Sequence, residues 1–269
     1  MFDLSLIAHA PILSLAIGLF AVTAVAISKS GFGGAAGSLA TPIMLVVFAP
    51  TQALGILLPL FIVIDLWVVW FWRHLGVRRI IIAMTITGLC GQITGWLLLR
   101  YGAINDDILT IFIAFLALYT GGKYFAKLAF SVQTKQAIRA EIRAYRRRLV
   151  SRALIWCSLS GFSSFVSLTG GIPAQVYLLP LNLPRQLFVA TMAWYLLFLN
   201  LAKVPLYGEL SFITPSTITL SLILLPAVPV GIMIGRYLNR TLSDKVFYII
   251  THILLILLGC QILWRYMSS

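Results

Sequence analysis

Two glycine-rich breaks carry the most distinctive chemistry in this chain. One is SGFGGAAGSLATP at residues 30–42, the other SLTGGIPAQ at residues 167–175. Each interrupts an apolar run. Glycine lets the backbone bend and approach a ligand closely. A helix that starts after such a break points unpaired N–H groups and a positive dipole end toward the space beside it, which suits an anion. Gly33 and Gly34 in the first break, and Gly170 and Gly171 in the second, are therefore candidate anion contacts. Ser30, Thr41, Ser167 and Thr169 could add hydroxyl donors. The plainer reading is close helix packing by small residues. The pairing of two breaks favours a binding site, because matched breaks in two halves mark the substrate region of membrane transporters.

Ionisable groups within apolar runs come next, since charge inside a span usually faces protein or water and marks function. Asp65 sits in LFIVIDLWVVW, about two turns before the end of its run, and Lys203 sits in FLNLAKVPLYG. Asp65 could carry a coupling proton, or hold Arg73 or a partner helix in place. Lys203 could pair with an anionic substrate. The structural alternatives are an ion pair for Asp65 and snorkelling for Lys203. Gln175, Tyr177, Thr191 and Asn200 are neutral candidates for the lining of a site, or simple interhelical hydrogen bonders. Asn200 precedes Lys203 by three residues and shares its helix face. His9 and His74 look interfacial, and His252 reads as a packed, hydrogen-bonded ring rather than a proton carrier.

Other function classes are poorly supported. The chain has no His-Glu-x-x-His, no Gly-x-Ser-x-Gly, no Walker loop and no carboxylate pair within a run, so no enzyme, metal site or cofactor is expected. Cys90, Cys157 and Cys260 lie inside apolar runs without a Cys-x-x-Cys, which points to packing. The 269 residues are 61% hydrophobic and only 10% charged, as in an integral membrane protein. The net charge of +13 belongs mainly to short loops and argues for positive-inside topology rather than nucleic-acid binding.

About ten apolar segments position these residues: 4–27, 37–49, 52–72, 80–99, 108–126, 150–167, 172–183, 186–206, 212–235 and 245–264. The second and seventh are short and follow the Gly-Gly breaks, as half-spans, re-entrant pieces or tilted helices. The first has a single charge, Asp3, before it and reads as a span rather than a signal peptide. The halves repeat. Gly33-Gly34 matches Gly170-Gly171, Gly91-x-x-x-Gly95 matches Gly231-x-x-x-Gly235, and Arg100-Tyr101, Asp107 and Gly121 match Arg236-Tyr237, Asp244 and Gly259 at near-constant spacing. Asp65 and Lys203 are approximate mates. Repeat 1 is placed at about 1–128 and repeat 2 at about 150–269. Five segments per half predicts inverted copies, which would set Asp65 and Lys203 at opposite ends of a transport path. The Gly-x-x-x-Gly faces suit packing, within the chain or in a homodimer.

With the N-terminus outside, Lys29, the turn carrying Arg73, His74, Arg78 and Arg79, residues 127–152, Arg185 and residues 236–245 fall in the cytoplasm. Asp3, Asp106, Asp107 and Glu209 fall outside, with Arg100 and Arg265 as exceptions. The basic stretch at about 129–149 reads as a cytoplasmic linker on anionic headgroups.

The blocks GFGGAAGSLATPIMLVVFAPTQALGILLPLFIVIDLWVVWFWRHLGVRRI, GFSSFVSLTGGIPAQVYLLPLNLPRQLFVATMAWYLLFLNLAKVPLYGELSFIT and LLPAVPVGIMIGRYLNRTLSDKVFY resemble the sulfite exporter TauE/SafE family. The resemblance covers nearly the whole chain. It implies a permease of small, mostly sulfur-containing anions such as sulfite, thiosulfate or organosulfonates including sulfoacetate, driven by an ion gradient and without a nucleotide site. It singles out Gly33, Gly34, Asp65 and Arg73, and then Gly161, Gly170, Gly171, Tyr177, Thr191 and Lys203. Ala35 and Ile172 stand where members often carry a third glycine, and Pro173 comes one residue late; a changed loop of this kind would bear on substrate choice.

The combined expectation is an all-α polytopic transporter of the bacterial inner membrane, working by alternating access. A small anion would bind between the breaks, with Asp65 and Arg73 in coupling or gating by a proton or ion. The rival readings are a membrane-embedded docking or assembly protein and a passive anion channel.

Overall fold

The computed structural model describes residues 12–34, 40–44, 47–101, 115, 118–119, 121–122, 124–126 and 149–268. Among them all regular structure is helical. The helices are α1 (Ile12–Phe32), α2 (Ala40–Met44), α3 (Pro50–Phe71), α4 (Arg78–Arg100), α5 (Leu149–Ser167), α6 (Gly171–Leu178), α7 (Arg185–Glu209), α8 (Pro215–Leu224), α9 (Ala227–Thr241) and α10 (Asp244–Ser268). Most of the segment at 108–126, most of the linker at 129–149, and His9 lie outside the described residues.

Six described helices are long and apolar enough to cross a membrane, seven if the bent pair α8 and α9 makes one span. The expected ten segments are not all seen as crossing helices among the described residues: that at 108–126 lies mostly outside them, and two others differ in form from a single crossing helix. The segment at 172–183 forms only the eight-residue α6 and a 3-10 turn at Leu179–Leu181. Eight residues rise about 12 Å, against a hydrocarbon core of about 30 Å. The segment at 212–235 is not one helix but two, bent by 50°. The bend falls at Leu225 and Pro226, where proline lacks the N–H that would continue the ladder. The described part of 37–49 includes only the five-residue α2 as helix.

Small residues set the closest packing. The most extensive helix pairings are α4 on α5 and α9 on α1. Apolar side chains gain little by leaving lipid for protein, so association depends on close van der Waals contact, which small residues permit. A side chain on Gly91 would collide with the carbonyl oxygen of Ser158, and one on Gly161 with that of Gly88. In the other seam, Gly231 and Gly235 lie against the backbone of Thr23 and Ile27, and Gly31 against Gly235. Both Gly-x-x-x-Gly motifs thus pack inside the chain. Each seam joins a helix of one half to the leading described helix of the other.

Hydrogen bonds across helices lock this frame. Gln92 Nε2 donates to Leu199 O at 2.9 Å, Ser221 Oγ to Ile56 O at 2.8 Å, and Asn239 Nδ2 to Gly31 O at 2.9 Å. The outward faces remain apolar: Trp70, Ile82, Ile86, Leu222 and Met233 are exposed, as expected of lipid-facing side chains.

Charges assigned to one side of the membrane do meet. Arg100 pairs with Glu209 at 2.7 Å, both half-exposed. Arg185 pairs with Asp244 at 3.0 Å and also donates to the carbonyl oxygens of Asn239 and Arg240.

Candidate functional site

The first break closes α1 with Gly33 and Gly34 at φ 75° and 93°, the left-handed region that side chains disfavour. The second break uses glycine for a different purpose. Gly170 is right-handed, but a side chain there would strike Ser164 and the carbonyl oxygen of Ser160. The left-handed residue of this break is Leu168, at φ 57°.

The two breaks cap one another. Gln175 of α6 donates from Nε2 to the carbonyl oxygen of Phe32, the last residue of α1, at 2.7 Å. Thr41 of α2 donates to the carbonyl oxygen of Ser167, the last residue of α5, at 2.9 Å. Helix-end carbonyls lack intrahelical partners, so a donor from elsewhere must serve them. Here it comes from the short helix of the opposite half. The chain Tyr195 OH to Ser160 Oγ (2.8 Å) and Ser160 Oγ to Gly170 O (2.6 Å) ties the second break to α7. Thr169 and Ser167 share a hydroxyl contact at 2.7 Å.

Beside the breaks runs a buried polar network. Lys29 Nζ in the last turn of α1 reaches both carboxylate oxygens of Asp65 at 2.7 Å. It also lies 4.3 Å from the centre of the Phe61 ring. Asn200 Nδ2 donates to Asp65 Oδ2 at 2.6 Å, and its own Oδ1 accepts from Lys203 Nζ at 2.8 Å. Lys203 Nζ donates in addition to Ser164 Oγ at 2.7 Å. Lys203 is fully buried, Asp65 1% exposed and Lys29 5% exposed. Four helices meet here: α1, α3, α5 and α7. Taking charges out of a polar solvent costs several kcal/mol per ion, so such groups persist where they are paired or used.

The network differs from expectation in three ways. Lys29, counted above among cytoplasmic loop charges, is an interior residue. Asp65 forms the ion pair named above as its structural alternative, but with Lys29 rather than Arg73, which lies at the exposed end of α3 against His74 (3.1 Å) and the ring of Trp70. Asp65 and Lys203 are not at opposite ends of a path. Each lies six positions before the end of its helix, but Asn200, one turn nearer the middle of α7, reaches across and joins them.

The remaining candidates are placed as follows. Gln175 serves the first break. Tyr177 is fully buried in α6, and Gly171 opens that helix. Thr191 receives the backbone N–H of Val77 at 3.2 Å and donates to Leu187 O, tying α7 to the start of α4 away from the network. His252 is buried, with Nδ1 2.6 Å from Tyr248 O and its ring stacked on Tyr124. Sequence reasoning missed Lys29 and Ser164. The signal for Lys29 was present: a lone acid inside a span calls for a cation, and Lys29 stands four residues before Gly33. Among the described residues, no cluster of three or more His, Cys, Asp or Glu could hold a metal ion.

The family model described as Sulfite exporter TauE/SafE matches residues 18–262. The chain belongs to this family. The match takes in both breaks and every residue of the buried network. No curated protein and no solved structure matches the chain. Membership in a family of membrane exporters fits the long apolar helices, and it makes the chain an integral membrane transporter whose substrate is an anion.

Proposed function

We propose that the chain is a secondary transporter of small sulfur-containing anions (sulfite, thiosulfate or organosulfonates) that works by alternating access. The observation that carries this reading is Lys203: a fully buried cation whose partners, Ser164 and Asn200, are both neutral, beside two mutually capped helix breaks. An anion arriving there would find an ammonium group it does not have to share with a carboxylate. Backbone N–H groups near Gly33, Gly34, Gly170 and Gly171, with Thr169, Gln175 and Tyr177, form the rest of the proposed site. Asp65 is the proposed coupling group. A proton on it would cancel its charge and free its ion-pair partner Lys29. Arg73 is left with gating at the exposed end of α3, and Thr191 with positioning α7.

The reciprocal seams, α4 on α5 and α9 on α1, support two inverted repeats at about 1–128 and 150–269, joined by a basic linker at about 129–149. The same reading places the chain as a single unit in a bacterial inner membrane with its N-terminus outside. The test is flux through the purified full chain in sealed liposomes. Uphill accumulation of radiolabelled sulfite driven by a proton gradient supports the proposal. Downhill flux only would mean a passive channel, and no flux by the purified chain alone would favour a docking role.

A further inference from the structure

Among the described residues, the buried Lys, Arg, Asp and Glu side chains are Lys29, Lys203 and Asp65. Two positive charges and one negative leave a single positive charge. Its location is defined. Lys29 touches both oxygens of Asp65 and is its ion-pair partner, while Asn200 links that carboxylate to Lys203. Lys203 has no carboxylate within salt-bridge distance among the described residues, and it donates only to a hydroxyl and an amide oxygen. Asn200 fixes the polarity between them. Its N–H side faces the carboxylate and its oxygen faces the ammonium, the one orientation that serves an ionised acid and an ionised amine together.

We infer that this cluster, with Asp65 ionised, selects anions carrying one negative charge, rejecting dianions of similar size. The inference rests on the transport reading above and narrows its substrate class. In an interior of low dielectric, an occupant is held best when the sum of buried charges vanishes. A monoanion, such as hydrogensulfite or a simple sulfonate, brings the sum from plus one to zero. A dianion, such as sulfate, thiosulfate or sulfoacetate, overshoots to minus one and replaces one unbalanced charge with another, so the inference removes thiosulfate and sulfoacetate from the substrate class.

The test compares methanesulfonate, a monoanion, with sulfate, a dianion, by ligand-induced thermal shift of the purified full chain and by competition against sulfite uptake. A ligand that binds the folded state raises its stability with concentration over Kd. The unaltered chain is expected to bind methanesulfonate at least about tenfold more tightly than sulfate. Asp65→Asn raises the buried sum to plus two and should reverse or erase that preference. The pair Lys29→Met with Asp65→Asn restores plus one and should restore the ratio, whatever its absolute affinity; this variant also keeps the test decisive if Asp65→Asn alone fails to fold. Equal binding of the two probes by the unaltered chain overturns the inference, as does a double variant that prefers sulfate. Binding of neither probe, with sulfite uptake also absent, overturns the transport reading beneath it instead.

Discussion

Lys29 and Ser164 hold the same place in the two halves. Each lies three positions before the last residue of its helix, and each bonds at 2.7 Å to the ionisable side chain of the long helix beyond the break, Lys29 to Asp65 and Ser164 to Lys203. In one half the pair is cation and acid; in the other it is hydroxyl and cation. A hydroxyl where a carboxylate would complete the second ion pair is what leaves Lys203 without a counter-charge.

Ser164→Asp should therefore disable the transporter without unfolding it. The new carboxylate would stand beside Lys203 and take the role of the anion. Sulfite uptake in liposomes is expected to fall by at least about tenfold, a coupling of ~1.4 kcal/mol. The melting temperature should hold or rise. Uptake at the original rate in a folded variant would remove Lys203 from the site.

Breaking the closed pair should cost stability. Asp65→Ala strands Lys29 in the interior, and removing one partner of a buried pair costs about 3–5 kcal/mol. Lys29→Met combined with Asp65→Leu removes both charges and should recover most of that loss. Thermal unfolding of the two detergent-solubilised variants checks the order.

The glycine seams give a graded pair of substitutions. At Gly91 and Gly161 an added methyl group meets a backbone carbonyl, so Ala at either should cost at least the 1–3 kcal/mol typical of overpacking. At Gly208 a methyl group would meet nothing within 4 Å. Gly208→Ala should leave stability unchanged or raise it by about 0.5–1 kcal/mol through helix propensity. Melting temperatures of the three variants give the comparison.

The cap on the first break can be removed alone. Gln175→Leu keeps the bulk but leaves the Phe32 carbonyl unpaired, at an expected cost of about 1–3 kcal/mol. Thr41→Val should act likewise on Ser167. Unchanged melting of both variants would show that the breaks are held by other contacts.

Much of this organisation is legible in the residues. The hydropathy pattern shows the long helices because membrane spans need long apolar runs. Gly91, Gly95, Gly231 and Gly235 read correctly as packing positions, since small residues at that spacing have one common use in helices. The pairing of Asn200 with Lys203 follows from helical spacing. Partnerships across helices were not legible, because hydropathy fixes which residues are inside but not which helix lies beside which. Lys29 stood next to the small polar residues of a break and passed for a loop charge, and Ser164 was one serine among several in α5. The run at 172–183 was visibly short, but composition left a half-span, a re-entrant piece and a tilted helix all open: an apolar run signals burial, and protein buries as effectively as lipid. The bend between α8 and α9 had a visible cause in Pro226, but proline within a span also occurs without a break, as Pro59 and Pro205 show.

The seam between α1 and α9 bears on how the chain is made. Asn239 reaches Gly31 across 208 residues of sequence. At ribosomal rates of about 5–20 residues per second, roughly 10–40 s separate the synthesis of these two contacts. For that interval α1 sits in the bilayer with its small-residue face covered only by lipid, while the α4–α5 seam can already close. The N-terminal half is thus not an independent folding unit, and a ribosome stalled before α9 would release a chain open along its first helix. A late lock of the structure is thus a contact made by its first described helix.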